Sequence, residues 1–123
     1  MSFLDDCLRT EAPITQDTKL RLTEHARTLH HLVGLQTEVG ELVDAFKKHI
    51  YYGQQLDRVN VVEEIGDIEY YLELLCDSLL VRREGARLRV VAKLKERYPE
   101  RFTQKDAIDR DLGAERAVLR DPE

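Results

Sequence analysis

Apolar residues recur three and four positions apart along most of this chain, the period at which side chains share one face of an α-helix. From about Asp17 they fall at Leu20, Leu22, Ala26, Leu29, Leu32, Val33, Leu35, Val39, Leu42, Val43, Phe46 and Ile50. That run predicts a long helix, with room for a break near Gly34, which ends at Gly53 because glycine suits a helix C-terminus. Val61, Ile65, Ile68, Leu72, Leu75 and Leu79 then alternate four and three apart, the pattern of a bundle seam. Asn60 with Glu63 three residues later predicts a capping box at the start of this helix. Only the short stretch from Gly53 to Asp57 joins the two helices, and short connections favour antiparallel neighbours.

A short first helix is expected after Ser2, with Asp5 completing its cap and Phe3, Leu4, Cys7 and Leu8 on its apolar side, before Pro13. A later helix runs from about Glu84 to Tyr98, limited by Pro99. There Leu88, Val91 and Leu94 alternate with Arg87, Arg89, Lys93, Lys95 and Arg97, so its outer face is basic. Residues 103–123 form a highly charged tail, separate from a main domain over residues 1–102, with a weaker helical pattern at Ala107, Ile108, Leu112, Ala117, Val118 and Leu119. The chain reads as all-α. A helical hairpin of this length leaves much apolar surface uncovered, which predicts self-association.

The formal net charge is −5, from 19 basic and 24 acidic residues. That balance argues against general binding to nucleic acid or to an anionic membrane, both of which call for a basic face. Apolar runs fall far short of the roughly 20 residues a membrane helix needs. The start, Met1-Ser2-Phe3-Leu4-Asp5-Asp6, lacks a basic region followed by an apolar stretch, so a soluble cytoplasmic chain is expected. Cys7 and Cys76 fit neither a zinc knuckle nor a disulfide framework and read as free thiols.

The densest chemical information lies in two matching pentapeptides, Glu38-Val39-Gly40-Glu41-Leu42 and Glu64-Ile65-Gly66-Asp67-Ile68. On a helix, residues three apart share a face, so each copy sets two carboxylates side by side, where like charges repel by a few tenths of a kcal/mol. Each mid-helix glycine costs roughly 1 kcal/mol relative to alanine. A hard divalent cation bound by carboxylate oxygens offsets the repulsion, and close approach of another backbone or a ligand accounts for the glycines. An isolated acid pair in so acidic a chain is ordinarily solvated. Matched glycines, matched aliphatic flanks and placement on consecutive helices instead make Glu38, Glu41, Glu64 and Asp67 a split metal site. Asp44 and Glu63 stay outside that set, as a solvated residue and a capping residue.

Other chemistries find less support. Di-iron bundles place a Glu three residues before a His, yet Leu22, Arg27, Thr28 and Phe46 precede His25, His30, His31 and His49 at that spacing. There is no serine nucleophile elbow, activated cysteine motif or phosphate-binding glycine loop. Magnesium-type sites clamp phosphates and activate water, which makes phosphoanhydride hydrolysis the natural reaction, and Lys47, Lys48, Lys93 and Arg97 are the cations available to an anionic substrate.

The strings LQTEVGELVDAFKKHIYYG, VEEIGDIEYYLELL and KLKERYPERF resemble the MazG-like, all-α nucleoside triphosphate pyrophosphohydrolases, relatives of the dimeric dUTPases and the HisE enzymes. The resemblance spans roughly Leu29 to Phe102, and the tail AIDRDLGAERAVL is similar to short single-domain members, many of them phage or bacterial. It implies a helical bundle completed by oligomerisation as a homodimer or dimer of dimers. It further implies hydrolysis of a nucleoside triphosphate to monophosphate and pyrophosphate by water attack at the α-phosphorus. Two or three Mg2+ (or Mn2+) ions per site would be held by Glu38, Glu41, Glu64 and Asp67. Glu41, aided by Glu38, or a metal-bound hydroxide would supply the base, and Lys48, Lys93 and Arg97 would meet the phosphates. His30, Val33 and Tyr71 would face the base, with a purine such as that of dGTP, GTP or dATP preferred. Two departures stand out: Thr37 occupies a position where the family often has a further glutamate, and Val90 and Val91 stand in the neighbourhood where an asparagine is common. A dUTP or phosphoribosyl-ATP hydrolase on the same fold, or a non-catalytic helical interaction protein, are the competing readings.

Overall fold

The described residues of the computed structural model, 1–120, form seven helices and no strand: α1 (Phe3–Thr10), α2 (Gln16–Glu24), α3 (Ala26–Tyr52), α4 (Arg58–Ser78), α5 (Arg83–Arg97), α6 (Gln104–Ile108) and α7 (Leu112–Leu119). The last three residues of the charged tail lie outside the described residues. Two compact units divide the chain, Met1–Leu72 and Glu73–Glu123, with α4 running through the division. Among the described residues no helix is long and apolar enough to cross a membrane.

Local chemistry explains the helix boundaries. Ser2 and Asp5 form the expected capping box on α1: the Asp5 N–H donates to the Ser2 hydroxyl at 3.2 Å and the Ser2 N–H to the Asp5 carboxylate at 2.7 Å. The long helix departs from the expected pattern. It breaks at His25, and α3 passes through Gly34 without interruption. His25 has φ −106° and ψ 16°, yet its N–H still donates to the Arg21 carbonyl at 3.0 Å and its carbonyl accepts from Leu29 at 2.8 Å. The chain can therefore bend there with little loss of hydrogen bonding. Gly53 stops α3 in the left-handed region at φ 69°, a conformation that disfavours any residue with a Cβ. The expected Asn60–Glu63 box is replaced by an earlier cap. Asp57 Oδ1 accepts from the N–H groups of Val59 at 3.0 Å and Asn60 at 3.2 Å, because an ionised carboxylate one position before the helix is the stronger acceptor.

Within the first unit, α3 and α4 run antiparallel: Gly34 early in α3 meets Tyr71 late in α4, while Glu41 further along faces Glu64. Gly34 is buried because the Tyr71 ring lies directly against its Cα; a Cβ there would overlap Cε1 and Cζ of that ring. Gly34→Ala should therefore destabilise the protein by up to about 2 kcal/mol, the overpacking of about 1–3 kcal/mol less the roughly 1 kcal/mol that alanine returns in helix propensity. Urea denaturation checks this, and adding Tyr71→Ala to Gly34→Ala should make the alanine at 34 favourable. Gly40 and Gly66, by contrast, have open space where a Cβ would stand, so no backbone of this chain approaches them.

The seam of α4 is only partly covered. No apolar side chain among the described residues is fully buried; of the seam, Ile65 remains 50% exposed and Leu79, just past the end of α4, 49%. In the second unit α7 packs on α5. Asp111 caps α7 by accepting from the Ala114 N–H at 2.9 Å. Glu115, itself buried, receives two bonds from Arg97 (2.9 and 2.8 Å) and two from Arg110 (3.1 and 2.6 Å). The tail is thus fastened to α5 of its own chain by a carboxylate and two guanidinium groups.

Candidate metal centre

The first acid pair lies midway along α3 and the second in the early turns of α4, so antiparallel packing brings them to one level. Carboxylate oxygens of Glu38, Glu41 and Glu64 all lie within 4.8 Å of one another. Their environments differ. Glu41 is exposed, Glu38 half-buried and Glu64 only 5% exposed. Asp67, one turn beyond Glu64, is half-buried and falls outside this close group.

The three acids cannot satisfy one another. Ionised carboxylates accept hydrogen bonds and donate none, and Glu64 Oε2 is buried without a partner. Burial first, then the nearness of Glu38 and the negative charge of Glu41, push the Glu64 carboxyl up to about 7. Only an added proton would let Glu64 share a hydrogen bond with Glu38. A divalent cation meets the same need more fully. Magnesium binds oxygen at about 2.0–2.1 Å, which places opposite ligands roughly 4.2 Å apart, so carboxylate oxygens within 4.8 Å need only small rotamer changes to converge on one ion. The residues present fit a hard divalent cation in number, chemistry and spacing.

The cluster opens onto a cleft of about 410 Å³ within the first unit, lined on α3 by Glu41, Asp44 and Lys48, and on α4 by Asn60 and Glu64, with Gln54, Gln55 and Asp57 between them. Lys48 Nζ lies 2.7 Å from Asp44 Oδ2, a hydrogen-bonded pair that lowers the carboxyl pKa and raises that of the ammonium. Helical side chains lean toward the N-terminus, so this ammonium is carried back to within about one turn of Glu41. Asp44, expected in solvent, keeps a side chain 47% exposed while it lines the cleft wall and pairs with Lys48.

The remaining predicted residues are placed as follows. His30 and Tyr71 contact one another edge-on, with ring centroids 6.4 Å apart, and Tyr70 packs on Tyr71 at 5.1 Å. Val33 is mostly exposed. Lys93 and Arg97 belong to α5 in the second unit; Lys93 is half-buried and Arg97 holds Glu115. The structure thus gathers Glu41, Glu64 and Lys48 around one opening, with Glu38 joining Glu41 and Glu64 in the acid cluster. Sequence reasoning missed the Gln54, Gln55 and Asp57 lining, which follows from the turn, and the Glu115 anchor, which no periodicity announces.

An antiparallel helical pair that crowds three carboxylates beside a polar cleft defines an all-α protein whose acid cluster fits a divalent cation. The MazG nucleotide pyrophosphohydrolase domain matches residues 24–102, well over half of the chain, and the chain belongs to that family. No curated protein and no solved structure matches it significantly. Family membership makes it a nucleotide pyrophosphohydrolase in general class.

Proposed function

We propose that this protein hydrolyses a nucleoside or deoxynucleoside triphosphate to the monophosphate and pyrophosphate, water attacking the α-phosphorus, in a site that uses Mg2+ or Mn2+. The observation that carries the reading is Glu64: a carboxylate 5% exposed, with an unpartnered oxygen, against two further acids. Glu38, Glu41 and Glu64 would hold the ion, with Asp67 joining from the next turn of α4. When bound, such an ion neutralises charge that develops on the phosphates and acidifies an attacking water.

The chain's own residues divide the rest of the work. Glu41 is the exposed member of the cluster, so it alone combines contact with the site and access to bulk water, as a general base requires. Glu38 and Glu64, less accessible, fix the geometry. Lys48 supplies a positive charge near Glu41 and would contact the phosphate that is attacked. His30, Val33 and Tyr71 remain a second candidate surface for the base, and Lys93 and Arg97 for the outer phosphates. Arg97 could serve there only by sharing or leaving Glu115.

Uncovered apolar positions such as Val43, Val62 and Ile65 support a homodimer or dimer of dimers, and the open space beside Gly40 and Gly66 leaves room for a second copy. Sedimentation equilibrium should return a multiple of 14.3 kDa; the monomer mass at micromolar concentration would refute it. The reaction is tested by incubating the protein with separate triphosphates and Mg2+. Pyrophosphate and nucleoside monophosphate should accumulate in equal amounts, and EDTA should stop the release. Orthophosphate as the sole inorganic product would rule out attack at the α-phosphorus.

A further inference from the structure

The cleft beside the acid cluster extends past Lys48 to the turn that joins α3 and α4, and its chemistry changes along the way. At one end stand Glu41 and Glu64; at the other stand Gln54, Gln55 and Asn60. Within the described residues these three side-chain amides make no hydrogen bond to the protein: the Gln54 contact to His49 uses its backbone carbonyl, and the Asn60 contact to Asp57 uses its backbone N–H. Four carboxylates line the cleft against a single lysine. Asp44 is occupied by Lys48 and Asp57 by the start of α4, so the turn end keeps no free cation among its lining residues.

That environment is unsuited to phosphates and suited to a neutral, polar group. In the opposite direction along the helices, the Tyr71 ring already fills the space against Gly34. We propose that the turn end of the cleft takes the nucleoside half of the substrate, with the side-chain amides of Gln54, Gln55 and Asn60 reading the edge of an adenine base. The proposal rests on the triphosphate reading above. An amide presents an acceptor oxygen beside an NH2 donor, the complement of adenine N6 and N7. The cleft volume of about 410 Å³ falls within the range of about 300–1,000 Å³ typical of small-ligand pockets. The order along the cleft also matches the order within the substrate: phosphorus at the acids, the first phosphate at Lys48, sugar and base beyond.

The test measures kcat/KM for ATP, GTP, CTP and UTP and their deoxy forms, in the wild type and in Gln54→Ala, Gln55→Ala and Asn60→Ala. None of these changes removes a backbone or capping hydrogen bond, and the Mn2+-induced rise in Tm serves as a check that the acid cluster still loads. Adenine nucleotides should be the wild type's better substrates. At least one variant should lose roughly tenfold of that preference, the scale of one lost amide–base contact, through KM more than kcat and with the Mn2+ response intact. Unchanged base ratios in all three variants of an active enzyme would overturn this proposal while leaving the hydrolase reading in place, as would a loss confined to pyrimidine nucleotides. Absence of turnover by the wild type with every triphosphate would overturn both.

Discussion

Glu64→Gln should abolish pyrophosphate release, lowering kcat/KM on the order of a thousandfold or more, while leaving the metal-free protein as stable as the wild type or more so. Both halves of this expectation come from one geometry. Glu64 is buried against Glu38 and Glu41 and has an oxygen with no donor. Its charge opposes folding when no cation is present, because a buried ionised group without a partner loses its hydration for nothing in return. Glutamine keeps the shape, removes the charge and brings a donor that the neighbouring carboxylates can accept. The same change takes a negative ligand from the site. Thermal melts with and without Mn2+ separate the two effects: wild type should gain in Tm on adding the ion, and the variant should start no lower and gain little. A role for Glu64 that is merely structural predicts the reverse, a variant that melts earlier and still turns over.

The second large effect concerns stability alone. Glu115→Ala should lower Tm by several degrees at neutral pH and release α7 from α5. The carboxylate accepts two bonds each from Arg97 and Arg110, and its removal leaves Arg97, largely buried, without its acid. Removing one partner of a buried ion pair is far more damaging than replacing both, since the remaining charge is stranded. Bonds from Arg97 and then Arg110 hold the Glu115 carboxyl well below its usual 4.5. A carboxylate with a depressed folded pKa stabilises fully above its unfolded value and loses that contribution as pH falls through the folded one. The gap in Tm between wild type and Glu115→Ala should therefore be widest above pH 4.5 and narrow progressively as the solution is acidified below it. A gap that stays constant down to strongly acid pH would show that Glu115 acts through packing and not through its charge.

These two residues also mark how far the sequence could be read. The acid doublet was legible because helical period and repeated spacing are local properties: Glu38 with Glu41, and Glu64 with Asp67, must share faces wherever the helices go. Which members converge was not, because that depends on the register between α3 and α4, and the Gly34–Tyr71 contact belongs to that register. Only three of the four acids enter the close group. Helix ends were legible where one residue type dominates, as at Gly53, and misread where two caps compete, as at Asp57 and Asn60. The long helix gave no sign of its break at His25, where hydrogen bonds continue across the irregularity. Glu115 meets Arg97 across 18 residues, with the whole of α6 between them, a pairing that no periodic pattern encodes.

The measurement that bears most directly on the central claim is the anomalous scattering of crystals grown with Mn2+. A peak within coordination distance of Glu38, Glu41 and Glu64 carboxylate oxygens is the predicted result, with Asp67 turned toward it. Crystals in which Mn2+ is bound elsewhere or nowhere, while those acids point apart into solvent in every subunit, would contradict the account.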